Sequence, residues 1–367
     1  MSLEYTNRDS KVGILSAPKP RVWINKGENM FIKKVISSIM LLLPSITYLE
    51  GNMYQVAFYS DFEPISYSES RDPANPKFNQ PNGYEVDLLK AIEAIPGSDM
   101  TFQFHGIKEW NGIWLYPYTH PEIDIAIGGI TREDRRLLNG EGKQVVANTH
   151  KTTHFMQSLL MNAIEAALIK KHQDLTCGYI VGAVRGTTGE YRYLAQTGII
   201  KDLKDGFIKK GFTIVLEDKT LINSDGLLSI YDTKLANRSM LVPPECTMPI
   251  TKYFIAEDTM IPALQEGYID AIARGFIGNS LVADRSNGKF VVTAIFSLDC
   301  PNQEVGCAQA EEAVFFVKAD NKPLVEKLNQ YIDYLTDNGK IEYEAWKLDK
   351  NIFRDRAQKY PIIPSSS

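Results

Sequence analysis

The chain has no run of lysines and arginines, no Gly-x-Ser-x-Gly elbow, no Gly-x4-Gly-Lys-Ser/Thr loop and no closely spaced cysteine pair. Each absence removes a class of function. Without a basic block, and with 45 acidic against 40 basic residues, there is no footprint for a nucleic-acid backbone. Without the elbow or the phosphate loop, serine hydrolysis and nucleotide hydrolysis have no anchor in the sequence. The four cysteines, Cys177, Cys246, Cys300 and Cys307, lack the spacing of a zinc knuckle, so no metal or cofactor is expected. Their even number suits an oxidising compartment. Cys300 and Cys307 flank a short loop that they could close, which would leave Cys177 and Cys246 as the second pair; spacing alone establishes neither bond.

Long hydrophobic runs are also missing. The longest, Val35 to Leu43, is too short to span a bilayer comfortably. It follows Lys33 and Lys34 and precedes Pro44 and small residues, the layout of a secretory signal over about residues 30–50. Residues 1–29 come before it, so the expectation is that Met30 is the initiator and that residues 1–52 hold an extension and the signal. No cysteine follows the run to carry a lipid.

What is present is an ordinary globular composition, 44% hydrophobic and 23% charged, enough for one large core or two modest ones. Tyr54–Tyr59 reads as a short strand entering a loop rich in aromatics, Asp61 to Tyr67. After Gly83, apolar Val86, Leu89 and Ile92 recur at helical spacing until Pro96-Gly97 stops the pattern. Met100–His105 alternates as a strand, and Ile123–Ile127 is a buried one. This last strand runs into Gly128-Gly129-Ile130-Thr131 and then Arg132, Arg135 and Arg136, with Thr131 and Asp134 placed to start a helix. Glycines that admit a ligand to the backbone, a hydroxyl, a helix dipole and a guanidinium fork suit a small anion. The device recurs at Gly186-Thr187-Thr188-Gly189-Glu190, again after a buried strand. Thr259–Gly267 is expected to be helical, Tyr268–Gly275 a strand, and Lys322–Leu335 an amphipathic helix. Alternating strands and helices with two anion-friendly corners predict an α/β protein with a cleft between two lobes.

Taken in order, these motifs resemble the bacterial extracellular solute-binding proteins of family 3, the type 2 periplasmic binding proteins of amino-acid ABC transporters. The likeness runs from about Tyr54 to Trp346 and includes Gly83-Tyr-Glu-Val-Asp-Leu, Trp110-Asn-Gly, Ile123-Asp-Ile-Ala-Ile-Gly-Gly-Ile-Thr, Gly186-Thr-Thr-Gly-Glu and Gln265-Glu-Gly-Tyr-Ile-Asp-Ala. It implies two chain crossings, with one lobe from 53–152 plus 313–362 and the other from 153–312. It implies a periplasmic, monomeric protein that captures a small carboxylate-bearing solute, such as an amino acid, and delivers it to an ABC transporter permease. Carried over residue by residue, Arg136 would grip the carboxylate with Thr131 and the backbone at Gly129. Thr187 and Thr188 would close from the other lobe, with Phe62 and Trp110 as apolar walls.

The sequence departs from the family at the second polar pole. Where relatives place an aspartate for the ligand ammonium, this chain has Gly275, beside Arg274, a further candidate contact. Asp258 or Glu190 could substitute, or the ligand could lack an exposed amine. Extra sequence around 211–253 and 284–309 has no assigned role. The rival reading is a cyclohexadienyl or arogenate dehydratase on the same fold, with Glu190 as general acid. A zinc site at His150 and His154 would require those residues to be helical and a third ligand that the sequence does not supply.

Overall fold

The computed structural model describes residues 51–295 and 311–361. The expected signal and the loop between Cys300 and Cys307 lie outside the described residues. Two sheets organise the remainder. The first has five strands in the order Met100–Ile107, Asn52–Tyr59, Ile125–Ile127, Phe316–Lys318, Val146–Asn148. Its first three strands are parallel, and Phe316–Lys318 runs against its neighbours. Helix Tyr84–Glu93 covers this sheet and packs on Lys322–Leu335 and Ile352–Ala357. Val86, Leu88, Leu89 and Ile92 are fully buried on it, each worth about 1.5–3 kcal/mol of apolar burial. The helix begins where it does because Gly83 has φ +118° and sits against the Pro64 and Ile65 carbonyls, where a side chain would collide with backbone.

The second sheet has eight strands, in the order Thr220–Ile222, Thr213–Leu216, Arg238–Val242, Ile250–Phe254, Ile180–Val184, Ala271–Gly275, Gln157–Asn162, Phe290–Thr293. The extra sequence at 211–253 therefore has a structural role: it adds antiparallel strands to one side of Ile250–Phe254. Cys177 and Cys246 are joined by a disulfide, with Cα atoms 4.7 Å apart. It spans the two segments that lead into the parallel strands Ile180–Val184 and Ile250–Phe254.

The chain passes between the sheets twice, through Thr153–Phe155 and Glu311–Ala313, which pair with each other as a two-stranded antiparallel ribbon. This is the two-lobed α/β arrangement that the sequence predicts. His150 and His154 are not helical, so the condition set for a zinc site there is not met. His154 lies in the ribbon and bonds Glu342, while His150 bonds Asp333. No helix among the described residues is long and apolar enough to cross a membrane.

Candidate solute-binding cleft

A small cavity lies where strand ends from the two sheets meet. Phe62, Trp110 and Gly129 come from the side of the five-stranded sheet; Thr187, Thr188, Gly189, Arg274 and Gly275 come from the eight-stranded one. Six of the eight residues expected from sequence are thus on one wall system: Phe62, Trp110, Gly129, Thr187, Thr188 and Arg274. Phe62 and Phe155 pack with ring centroids 5.7 Å apart, and the Trp110 ring lies edge-on to Tyr59 at 5.1 Å. Gly129 has φ +68°, and a Cβ there would lie 2.6 Å from the Phe62 ring. The glycine is what lets this ring seat against the corner.

The opposite wall is the start of helix Thr188–Gln196. Thr187 caps it, its hydroxyl accepting from the Glu190 amide at 3.1 Å. Among the described residues the Thr188 and Gly189 amides have no acceptor, leaving two donors at the positive end of the helix dipole. Gly189 allows close packing, since a Cβ would stand 3.0 Å from Arg274 Cα. Gln157 donates to the Thr188 hydroxyl at 3.0 Å and to Glu311 at 2.6 Å.

Arg274 forms a buried ion pair with Glu257 at 2.5 Å. Burial pushes the Glu257 carboxyl up, and the guanidinium beside it opposes that shift. Glu257 was missed from sequence, although its neighbour Asp258 was considered for the ammonium pole. Neither Asp258 nor Glu190 lines the cavity. The Asp258 amide instead donates to Asp61 at 2.8 Å.

Arg136 and Thr131 are not on the cavity wall either. Arg136 is 1% exposed. Its Nη1 donates to the Thr131 carbonyl at 2.9 Å and to the Thr131 hydroxyl at 2.6 Å, and its Nη2 reaches the Gly186 carbonyl at 2.8 Å. The helix expected to begin at Thr131 does not form. Thr131 pairs as a bridge with Ala313, the Arg132 amide donates to the Glu312 carbonyl at 2.8 Å, and only a single 3-10 turn follows, Asp134–Leu137. Pairing with the crossing ribbon holds the segment extended against its local helical preference.

Glu190 is fully buried, accepts from the Gly186 amide at 2.6 Å and is paired with Arg238. Its carboxylate is committed away from the cavity.

Contacts across the cleft hold the lobes together: Arg136 to Gly186, Asp61 to the Asp258 amide, and Arg285 to Glu63 at 2.8 Å. The cavity between them measures about 30 Å³, room for no more than two or three waters at roughly 10–15 Å³ each. Any solute larger than that requires the lobes to part.

Residues 54–348 match the family profile of the bacterial extracellular solute-binding proteins, family 3. The chain belongs to this family of transport binding proteins. Its fold is similar to that of an ABC uptake transporter substrate-binding protein from Streptococcus pneumoniae with bound histidine, at 16% identity and TM-score 0.52, over 85% of this chain and 94% of that one. A second S. pneumoniae amino-acid ABC transporter substrate-binding protein, bound to L-arginine, aligns at 15% identity and TM-score 0.51 over 83% and 94%. An ancestral arginine-binding protein bound to arginine aligns at 17% and 0.50 over 85% and 99%. At these identities the likeness concerns the fold. No curated protein matches the sequence.

Proposed function

We propose that the chain is the periplasmic receptor of an ABC importer. In this reading it is exported by the segment at about 30–50 and acts as a monomer. It closes two lobes, 53–152 plus 313–362 and 153–312, over a small carboxylate-bearing solute such as an amino acid, then delivers it to a permease. One observation supports this above the rest: the cavity is lined by residues from both sides, Phe62, Trp110 and Gly129 on one and Thr187, Thr188, Arg274 and Gly275 on the other, the geometry in which closure and binding are one event.

The solute carboxylate meets the Thr188 and Gly189 amides, the Thr188 hydroxyl and Arg274, while Thr187, whose hydroxyl donates to the Val184 carbonyl at 2.8 Å, lines the site as the helix cap. Phe62, Trp110 and Gly129 form the apolar floor. Glu257 supplies an acid for an ammonium in place of the aspartate missing at Gly275. Arg136 with Thr131 contributes by tying the first corner to Gly186 when the cleft is shut. A dehydratase is not favoured, because Glu190 already serves Arg238 and the Gly186 amide.

A thermal-shift panel on protein stripped of carried-over ligand tests the proposal, using amino acids, their carboxamides and dicarboxylates. At least one carboxylate-bearing solute should raise Tm with concentration, and its carboxamide should not. A flat response across the panel would contradict it.

A further inference from the structure

A second cavity, of about 420 Å³, shares no lining residue with the first. It too lies between the lobes, bounded on one side by residues 111–115 and 135–140 and on the other by 185–191 and the added segment 230–238. Its size is that of a small-molecule site. Four guanidiniums line it: Arg135, Arg136, Arg185 and Arg238. They face three carboxylates, Glu133, Glu190 and Asp232, of which Glu133 pairs with Arg135 and Glu190 with Arg238. Among the described residues Arg185 pairs with no carboxylate; its one hydrogen bond is to the Arg238 carbonyl, at 3.3 Å. Arg136 is buried, and its Nε has no hydrogen-bond partner, the nearest carboxylate oxygen being Glu133 Oε2 at 3.8 Å. A buried donor without an acceptor, beside positive charge in excess, calls for an anion.

The remaining wall is aromatic and aliphatic. Arg135 is held between the Tyr191 and Tyr231 rings, 4.0 and 4.1 Å from their centroids, so these rings position a cation and do not simply fill space. Trp114, with Arg136 at 4.7 Å from its ring centroid, and Ile230 offer apolar surface to a ligand body. We infer that this cavity is a second binding site, for a small aromatic carboxylate that places its anion at Arg185 and Arg136 and its ring against Trp114 and Ile230. Since both lobes line it, such a ligand would bridge them beside the solute cavity.

Calorimetric titration of the full-length protein with phenylacetate, and with neutral phenylacetamide, tests this. Saturable binding of phenylacetate is expected, with the amide at least tenfold weaker. Arg185→Gln should weaken phenylacetate at least tenfold, because it removes the cation that has no carboxylate of its own. Gly140→Trp should abolish binding by filling the mouth; Gly140 lines the cavity and has open space beyond its Cα, so the fold should persist, as checked by circular dichroism. Absence of saturable binding, equal affinity for the amide, or unchanged affinity in either folded variant would overturn the inference.

Discussion

The two glycine-bearing corners look alike in sequence, yet they are finished differently. At the first, the Gly128 and Gly129 amides both donate to Glu85 Oε2, at 2.8 and 2.9 Å. At the second, the Gly186 amide donates to Glu190 Oε2. In both, the chain supplies its own carboxylate to the anion-friendly turn. The difference is charge compensation. Glu190 has Arg238, whereas among the described residues Glu85 has amides and the Thr152 hydroxyl but no cation, and burial pushes its carboxyl up to about 7. Among the described residues, the Thr188 and Gly189 amides of the second corner lack an acceptor and belong to residues that line the cavity, whereas at the first corner the amides without an acceptor, Ile130 and Thr131, belong to residues that do not. An anion-binding pattern in sequence thus does not reveal whether the anion is the protein's own.

The comparison is broken most severely at Glu190. Glu190→Ala leaves Arg238 buried without its partner and should cost about 3–5 kcal/mol in chemical denaturation. A loss below about 1 kcal/mol would show that the pair is not holding the corner.

Glu85 sharpens the contrast through pH. Its folded-state value lies above the ordinary 4.5, so between about 4.5 and 7 the folded state binds more protons than the unfolded one. Stability from this group is full below about 4.5 and falls as pH rises to about 7, by about 3 kcal/mol. Glu85→Gln should remove that slope. Buried His172, held down to about 3, runs the other way: its contribution is present above the ordinary imidazole value near 6.5 and is lost as pH falls towards 3. The readout is therefore the difference between wild type and variant across pH 4 to 8. Parallel curves would mean that Glu85 does not titrate there.

The smallest effect is at the cap. Thr187→Ala removes the hydroxyl that accepts from the Glu190 amide and should cost about 1 kcal/mol, while the first corner, which has no such cap, offers no equivalent. Denaturation midpoints measure it, and a change within error would remove the cap from the account.

Much of this was legible because the signals were local. Buried strands at Ile125–Ile127 and Ile180–Val184, and the amphipathic helix Lys322–Leu335, follow directly from periodicity. The position of Arg136 was not, because it depends on Thr131 and Arg132 pairing with residues 312 and 313, far away in the chain. Glu257 was missed for a related reason: in sequence it is one of two adjacent acids before a helix, and only the packing of Ala271–Gly275 brings Arg274 to it.

The central claim is that the solute is held at the second corner beside Arg274. Titration calorimetry of the most stabilising solute against Arg274→Ala and Arg136→Ala tests it directly. Arg274→Ala should weaken binding by roughly 2–5 kcal/mol, as loss of a desolvated charged partner does, and Arg136→Ala by less. An unchanged dissociation constant for Arg274→Ala, with the large loss at Arg136, would contradict the account and return the carboxylate to the first corner.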